Sequence, residues 1–366
     1  IIAFYMVEKA AWLYRHCNGD SVVDKLLAFI AIVALSPYLN AKEESSIDAK
    51  KEALLSYLKS VAESDKYLSG QRWNASDWEK LREKTGKTPA IICVEYCISE
   101  GNRKLGKKEK PIQWEEINPI IKKHWDTGGI VRITCHFPSP YNESYGGLRT
   151  KLGDDAAKLL SNEDSPEKMR WLKMLDDVAE GVKNLNDLGV VPIFGPMHEM
   201  NGKWFWWGAS LSPKSQRALW DQIYSALEKK GCRAVWLNAL SPSIPIDVEN
   251  GPDFDKMDII GCDVYGYKSA KNLKVVDEKY KLAKAKGKLF TVSEFGAYSA
   301  HNPRRDKEFG TYDLAELPTL LDKHCPRAYG IVFWSGPWGI HESLNSEKFM
   351  NNPKILTHGQ VKYVGK

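Results

Sequence analysis

The chain has 366 residues, 43% hydrophobic and 27% charged, with a formal net charge of +5. This is the composition of a soluble globular protein, and the length suits one large α/β barrel or two ordinary domains. Lys and Arg are scattered, and the one dense basic stretch, 103–110, also carries Gly and Glu. The basic face and motif that nucleic-acid binding needs are therefore missing.

In chain order, the first feature is an apolar run at 26–35, preceded by Lys25 and followed by the small residue Ala41. It is too short to span a bilayer and reads as a secretory signal. Residues 1–41 are accordingly set apart as an upstream segment plus signal, and 42–366 are read as one domain. Residues 42–66 have the pattern of a lead-in helix on the side or bottom of the fold. From there, short apolar runs at 66–70, 90–96, 129–136, 190–194, 234–238, 258–263, 289–293 and 330–334 alternate with longer amphipathic stretches. The runs are rich in Ile, Val and aromatics, and do not alternate with polar residues, as expected of strands buried on both faces. Asn74 caps a helical pattern, Ser165-Pro166 opens another, and similar stretches occupy 212–230, 273–286 and 313–324. Eight such units in about 300 residues are what a (β/α)8 TIM barrel requires. An open doubly wound sheet is the alternative architecture, although no Gly-rich phosphate loop follows any strand. The loop 137–164 is long and rich in Pro, Tyr, Asn and Gly, and in a barrel it would lie on the catalytic face.

The chain holds seven cysteines. Cys17 lies in the leading segment, and the other six permit disulfides without assigning any. Cys93, Cys135 and Cys262 sit in apolar runs and read as buried free thiols. Asn74-Ala-Ser and Asn142-Glu-Ser are acceptor sequons, usable if a eukaryote exports the protein.

Two glutamates stand where a strand gives way to a loop. Glu199 lies in Gly195-Pro-Met-His-Glu-Met-Asn-Gly-Lys-Trp-Phe-Trp-Trp-Gly208, and Glu294 in Ser293-Glu-Phe-Gly296. In a barrel these are the fourth and seventh strand ends, which open into one bowl. Two carboxylates across a bowl rich in indoles are the apparatus of acetal hydrolysis. One protonates the leaving oxygen while the other stabilises or captures the cationic sugar.

The segment 198–208 resembles the acid/base motif of glycoside hydrolase family 26, whose best-known members are endo-β-1,4-mannanases, and Ser293-Glu-Phe-Gly296 resembles its nucleophile motif. Further matches lie at Gly128-Gly-Ile-Val through His136-Phe-Pro, at 258–265 and at Phe333-Trp334, so the likeness spans roughly 66–340. It implies a (β/α)8 barrel and a retaining double displacement, with Glu199 as acid/base and Glu294 as nucleophile. By the same resemblance Tyr265 is a hydrogen-bond donor to Glu294, and His136 and His198 line the subsite of the reacting sugar. Asn201 and Trp204 match the motif, Trp207 either walls the site or packs in the core, and Trp334 is a stacking platform. Asp263 orients its neighbours. One departure is Gly195, where family members usually carry Arg.

His198-Glu-Met-Asn-Gly202 lacks the second His of a zinc-protease motif, no Gly-x-Ser-x-Gly elbow occurs, and no cofactor or metal site is predicted. The expectation is a monomeric, secreted enzyme acting on a β-linked polysaccharide such as mannan, with no nucleic-acid partner and no membrane in its mature form. The rivals are the same chemistry on β-1,3-xylan or mixed-linkage β-glucan, and a silent sugar-binding barrel.

Overall fold

The computed structural model describes residues 47–97, 110–144, 146–152, 156–161, 163–266, 270–271, 273–297 and 312–362. The apolar run at 26–35 and the basic stretch, apart from Lys110, lie outside them. The chain divides into a segment 1–50, of which the described residues 47–50 are helical, and a unit 51–366 that carries everything below.

All eight apolar runs form strands: β1 Tyr67–Arg72, β2 Ile91–Glu95, β3 Ile130–Cys135, β4 Ile193–Pro196, β5 Val235–Leu240, β6 Ile259–Tyr265, β7 Leu289–Gly296 and β8 Ala328–Phe333. Each pairs in parallel with the next, and β1 pairs with both β2 and β8, which closes the sheet into the expected (β/α)8 barrel. A short extra strand, β9 Ile355–Leu356, pairs with the start of β1. Between the strands run the helices α1 Ala75–Thr85, α2 Trp114–Asp126, α3 Pro166–Asp187, α4 Pro213–Lys229, α5 Asp277–Ala285 and α6 Leu317–His324. The predicted caps form: Asn74 accepts from the Asp77 amide, and Ser165 from the Lys168 amide ahead of Pro166. Each satisfies an amide the first helical turn leaves free.

Strand boundaries shift by one to three residues from the sequence pattern, and three of the shifts have a clear physical reason. β4 begins at Ile193 rather than 190, because Pro192 has no N–H and the Val190 amide bonds to Leu185 at the end of α3. β5 and β7 run on through Asn238 and Ser293-Glu294 to residues 240 and 296. These polar residues are buried with partners, Asn238 at Met200, Ser293 at Asp263 and Glu294 at Tyr265, so they continue the strands instead of ending them. α2 was not anticipated, since Pro119 interrupts its pattern, yet its buried face of Ile121, His124 and Trp125 holds it on the barrel. From residue 51 the lead-in helix lies at the barrel's lower end: Leu54 and Leu58 are fully buried, and Lys51 pairs with Asp258 just before β6.

Cys93, Cys97, Cys135, Cys232, Cys262 and Cys325 are all free and buried. No helix among the described residues is long and apolar enough to cross a membrane.

Candidate active site

At the end of β4 the backbone leaves the sheet abruptly. Met197 and Glu199 both adopt left-handed conformations, with φ of 50° and 52°. For a non-glycine residue that costs on the order of 1–3 kcal/mol and persists where neighbours enforce it. Here the Glu199 amide donates to the Ala239 carbonyl on β5 at 2.7 Å, and the Glu199 carbonyl accepts from the Gly202 amide at 2.8 Å. A Cβ at Gly202 would stand 2.4 Å from the Trp204 ring, so a glycine is needed there for the indole to fold back. Folded back, the Trp204 indole N–H donates to Glu199 Oε2 at 2.7 Å.

The other two indoles of the cluster do not reach the cleft. Trp206 and Trp207 are fully buried, donating to the carbonyls of Phe137 (2.8 Å) and His198 (2.9 Å). Trp207 therefore packs in the core, where it stacks on Phe205, and is not a sugar contact. Asn201 is also displaced from the expected contact set. Its amide group donates to the carbonyls of Ser241 and Ile244, and its oxygen accepts from the Ser241 amide. It clasps the loop after β5, whose Ser241, Pro242 and Ser243 line the cleft.

Glu294 sits on β7, 2% exposed. A bulge in the β6–β7 ladder between Cys262 and Asp263 puts Asp263 directly beside it, and bulges re-aim side chains in this way. The Tyr265 hydroxyl donates to Glu294 Oε2 at 2.8 Å. A Cβ at Gly296 would lie 2.6 Å from the Tyr265 ring, which explains the glycine of Ser-Glu-Phe-Gly. Below the carboxylate, the buried Arg132 of β3 places Nη2 3.9 Å from Glu294 Oε1 and donates through Nη1 to the Ser293 carbonyl. Ser293 in turn donates to Asp263 Oδ1 at 2.5 Å.

The third wall comes from the ends of β2, β3 and β8. Glu95 bonds His136 Nδ1 at 2.5 Å and also accepts from the amides of Cys97 and His136 and from the Thr134 hydroxyl. The His136 ring lies 4.2 Å from that of His198 and 5.8 Å from that of Trp334, and the Arg72 guanidinium stacks on Trp334 at 4.2 Å. Together these walls enclose a cleft of about 420 Å³ that brings Glu199, Glu294, His136, His198, Trp204, Tyr265 and Trp334 onto one surface.

The electrostatics separate the two acids. Burial and the negative charge of Glu294 push Glu199 up to about 8. Burial raises Glu294 as well, but Arg132, His136 and Tyr265 oppose it, so the proton shared by the pair resides on Glu199. Burial, and after it the facing Glu294 and Glu199, push Asp263 well above the usual carboxylate range. Burial keeps His198 neutral. Against the desolvation that would lower it, the carboxylate of Glu95 raises His136.

His198, Asp263 and Glu294 each offer a ligand atom, all within 4.8 Å of one another. The Arg132 guanidinium already serves this carboxylate, which weakens the trio's attraction for a cation. His198 Nδ1, Asp263 Oδ2 and Glu294 Oε1 find no hydrogen-bond partner among the described residues. Buried atoms in that state call for a hydrogen-bonding occupant.

Glu95, Arg72, Arg132, Arg149, Phe205 and Trp338 belong to the site or its support and are absent from the sequence prediction. Two of them carried a signal: Glu95 and Arg132 are charges inside apolar strand runs, which burial tolerates only with a partner.

The family description Glycosyl hydrolase family 26 matches residues 43–301. A mannan endo-1,4-beta-mannosidase A and B of Caldalkalibacillus mannanilyticus is 27% identical over 77% of this chain and 54% of its own length. A mannan endo-1,4-beta-mannosidase of Bacillus subtilis is 24% identical over 80% of this chain and 79% of its own length. The chain thus spans about half of the first relative and most of the second. Among solved structures, a Bacillus subtilis mannanase superposes with a TM-score of 0.71 at 23% identity, covering 84% of this chain and 92% of that one, which establishes the shared barrel.

Proposed function

Since the chain belongs to glycosyl hydrolase family 26 and is a glycoside hydrolase, we propose that it cleaves internal β-1,4-mannosidic bonds of mannan, glucomannan or galactomannan with retention of configuration. The observation that carries this reading is the pair of acids in one cleft, with the Trp204 N–H on Glu199 and the Tyr265 hydroxyl and Arg132 gathered on Glu294. In the first step a Glu294 oxygen attacks the anomeric carbon while the Glu199 proton passes to the glycosidic oxygen, and the C–O bond to the leaving sugar breaks. In the second, the Glu199 carboxylate takes a proton from water, whose oxygen displaces Glu294 from the anomeric carbon. Tyr265 holds Glu294 on line, and Trp334, braced by Arg72, offers a flat face to the sugar ring. The unpaired atoms of His198 and Asp263 are available to sugar hydroxyls. Mannan is favoured by the relatives named above, both of them mannan endo-1,4-beta-mannosidases.

Reducing-end assays on galactomannan, β-1,3-xylan and lichenan test the substrate. Release from galactomannan is expected, and release from another polymer alone would reassign it. NMR of the first product's anomeric proton tests retention, because initial appearance of the inverted anomer excludes the covalent intermediate. We also infer that the protein acts outside the cell as a monomer. A polymeric substrate and the apolar run at 26–35 support the location. The six thiols, all raised by burial, would be inert in an oxidising medium. Activity confined to washed cells would oppose the location, and light scattering tests the oligomeric state.

A further inference from the structure

We propose that Arg132 is the positioning cation of the nucleophile, delivered from β3 because β4 carries Gly195 and offers no charged side chain of its own. This rests on the reading of Glu294 as nucleophile.

The first argument is burial. Arg132 is 1% exposed in a strand buried along its whole length. A guanidinium in such a place costs several kcal/mol unless charge and hydrogen bonds offset it. Two of its nitrogens, Nε and Nη2, have no hydrogen-bond partner among the described residues. What it does have is the Ser293 carbonyl and, 3.9 Å from Nη2, the Glu294 carboxylate. Both partners lie on β7, across the barrel from β3. The residue therefore acts on one point, the peptide and side chain of the nucleophile.

The second argument is the neighbouring strand. In register, Thr134 pairs with Gly195 and Arg132 with Ile193, so β3 and β4 present adjacent rows to the same interior. β4 contributes Ile193, Phe194, Gly195 and Pro196, and a Cβ at 195 would already press on Leu237 at 3.2 Å. The motif resemblance places an arginine at 195, and in this chain the interior cation stands one strand away.

The third argument is the set of groups that surround Glu294. β1 brings Arg72, which stacks on Trp334. β2 brings the Cys93 thiol, held protonated by burial. The end of β3 adds His136, whose charge depends on pH. From β4 come neutral His198 and Glu199, pushed up to about 8, and from β6 come Asp263, raised by burial, and Tyr265. Arg132 keeps its charge at any working pH, and it is the foremost influence opposing burial in keeping Glu294 ionised.

The experiment compares Arg132→Met, Arg132→Lys and the double variant Arg132→Met/Gly195→Arg. Two readouts are used: the acidic limb of kcat/KM against pH, and the titration of Glu294 in the substrate-free protein, followed by carbon-13 NMR of labelled glutamate and assigned with Glu294→Gln. Arg132→Met is expected to move both upward by about one pH unit or more, the usual effect of losing an adjacent opposite charge. It should lower kcat ten- to a hundredfold while KM changes little. Arg132→Lys should leave Glu294 titrating near its wild-type position, and the double variant should bring it back toward that position. A folded Arg132→Met protein with unchanged limb and titration overturns the proposal. If that variant does not fold, Arg132→Lys decides: an unmoved titration supports the proposal, and an upward shift of a full unit despite the retained charge overturns it. Wild-type inactivity on every β-linked polymer would refute the functional reading separately, because the Glu294 titration needs no substrate.

Discussion

The ends of β4 and β7 each present one carboxylate to the same cleft, and they are built in opposite ways. Glu199 stands on left-handed backbone outside the sheet, half-buried, with an indole N–H as its donor. Glu294 lies within a strand ladder, almost fully buried, with Tyr265 on one oxygen and Arg132 facing the other. Burial raises both acids, so burial alone cannot assign their roles. The difference lies in what opposes it. At β4 the Trp204 N–H comes first, followed by His136 and Arg149, and the charge of Glu294 itself adds to the upward push on Glu199. At β7 the buried Arg132 comes first, followed by His136 and the Tyr265 phenol. Environment, more than residue type, decides which acid keeps the proton.

Removing one carboxylate at a time tests that asymmetry most severely. Glu294→Ala is expected to reduce turnover by roughly four to six orders of magnitude. The loss should be the same on polymer and on an aryl glycoside with an activated leaving group. Glu199→Ala should lose about 10²- to 10⁴-fold on polymer, the usual contribution of a general acid. On a dinitrophenyl glycoside, whose leaving group needs no proton, its first step should stay close to wild type, and azide should accelerate turnover. Circular dichroism melts should confirm that both variants fold. If the two variants respond alike to the change of leaving group, the assigned roles collapse into one.

The barrel could be read from the chain because eight buried parallel strands leave non-alternating apolar runs, a pattern that survives without tertiary information. Both acids could be read because they end such runs within recognisable motifs. The fate of the indole cluster could not. Trp204 and Trp207 are three residues apart and chemically identical, and only the turn at Glu199-Gly202 decides that one faces the cleft while the other finds the His198 carbonyl. Asn201 escaped for a similar reason, since its partners Ser241 and Ile244 are about 40 residues away. Arg132 and Glu95 were visible as charges within apolar runs, but a charge in a run does not name its partner: that of Arg132 lies across the barrel on β7, and those of Glu95 at the end of the adjacent β3.

A smaller effect sharpens the β7 half of the comparison. Tyr265→Phe removes the hydrogen bond to Glu294 Oε2 and little volume. Hydrogen bonds to charged groups contribute about 1.5–3 kcal/mol, which corresponds to a ten- to hundredfold drop in kcat/KM. The donor favours the ionised carboxylate, so its loss raises the Glu294 pKa and moves the acidic limb of the pH profile upward. A variant that loses activity with no movement of that limb would show Tyr265 acting on the sugar instead.

The mildest test falls on β4. Glu199 must carry a proton when substrate arrives, so kcat/KM should decline as pH rises through about 8. The Trp204 N–H favours the carboxylate form, while burial and the charge of Glu294 favour the acid. Trp204→Phe removes the donor and keeps most of the apolar wall. It should raise the Glu199 pKa and shift the basic limb upward, with a loss of about 0.5–1.5 kcal/mol, a few-fold in kcat/KM at neutral pH. A full profile measured on wild type and variant decides the sign. A downward shift would mean that the indole keeps Glu199 dry more than it stabilises its charge, and the protonated acid would then owe its state to Trp204 more than to the facing carboxylate on β7.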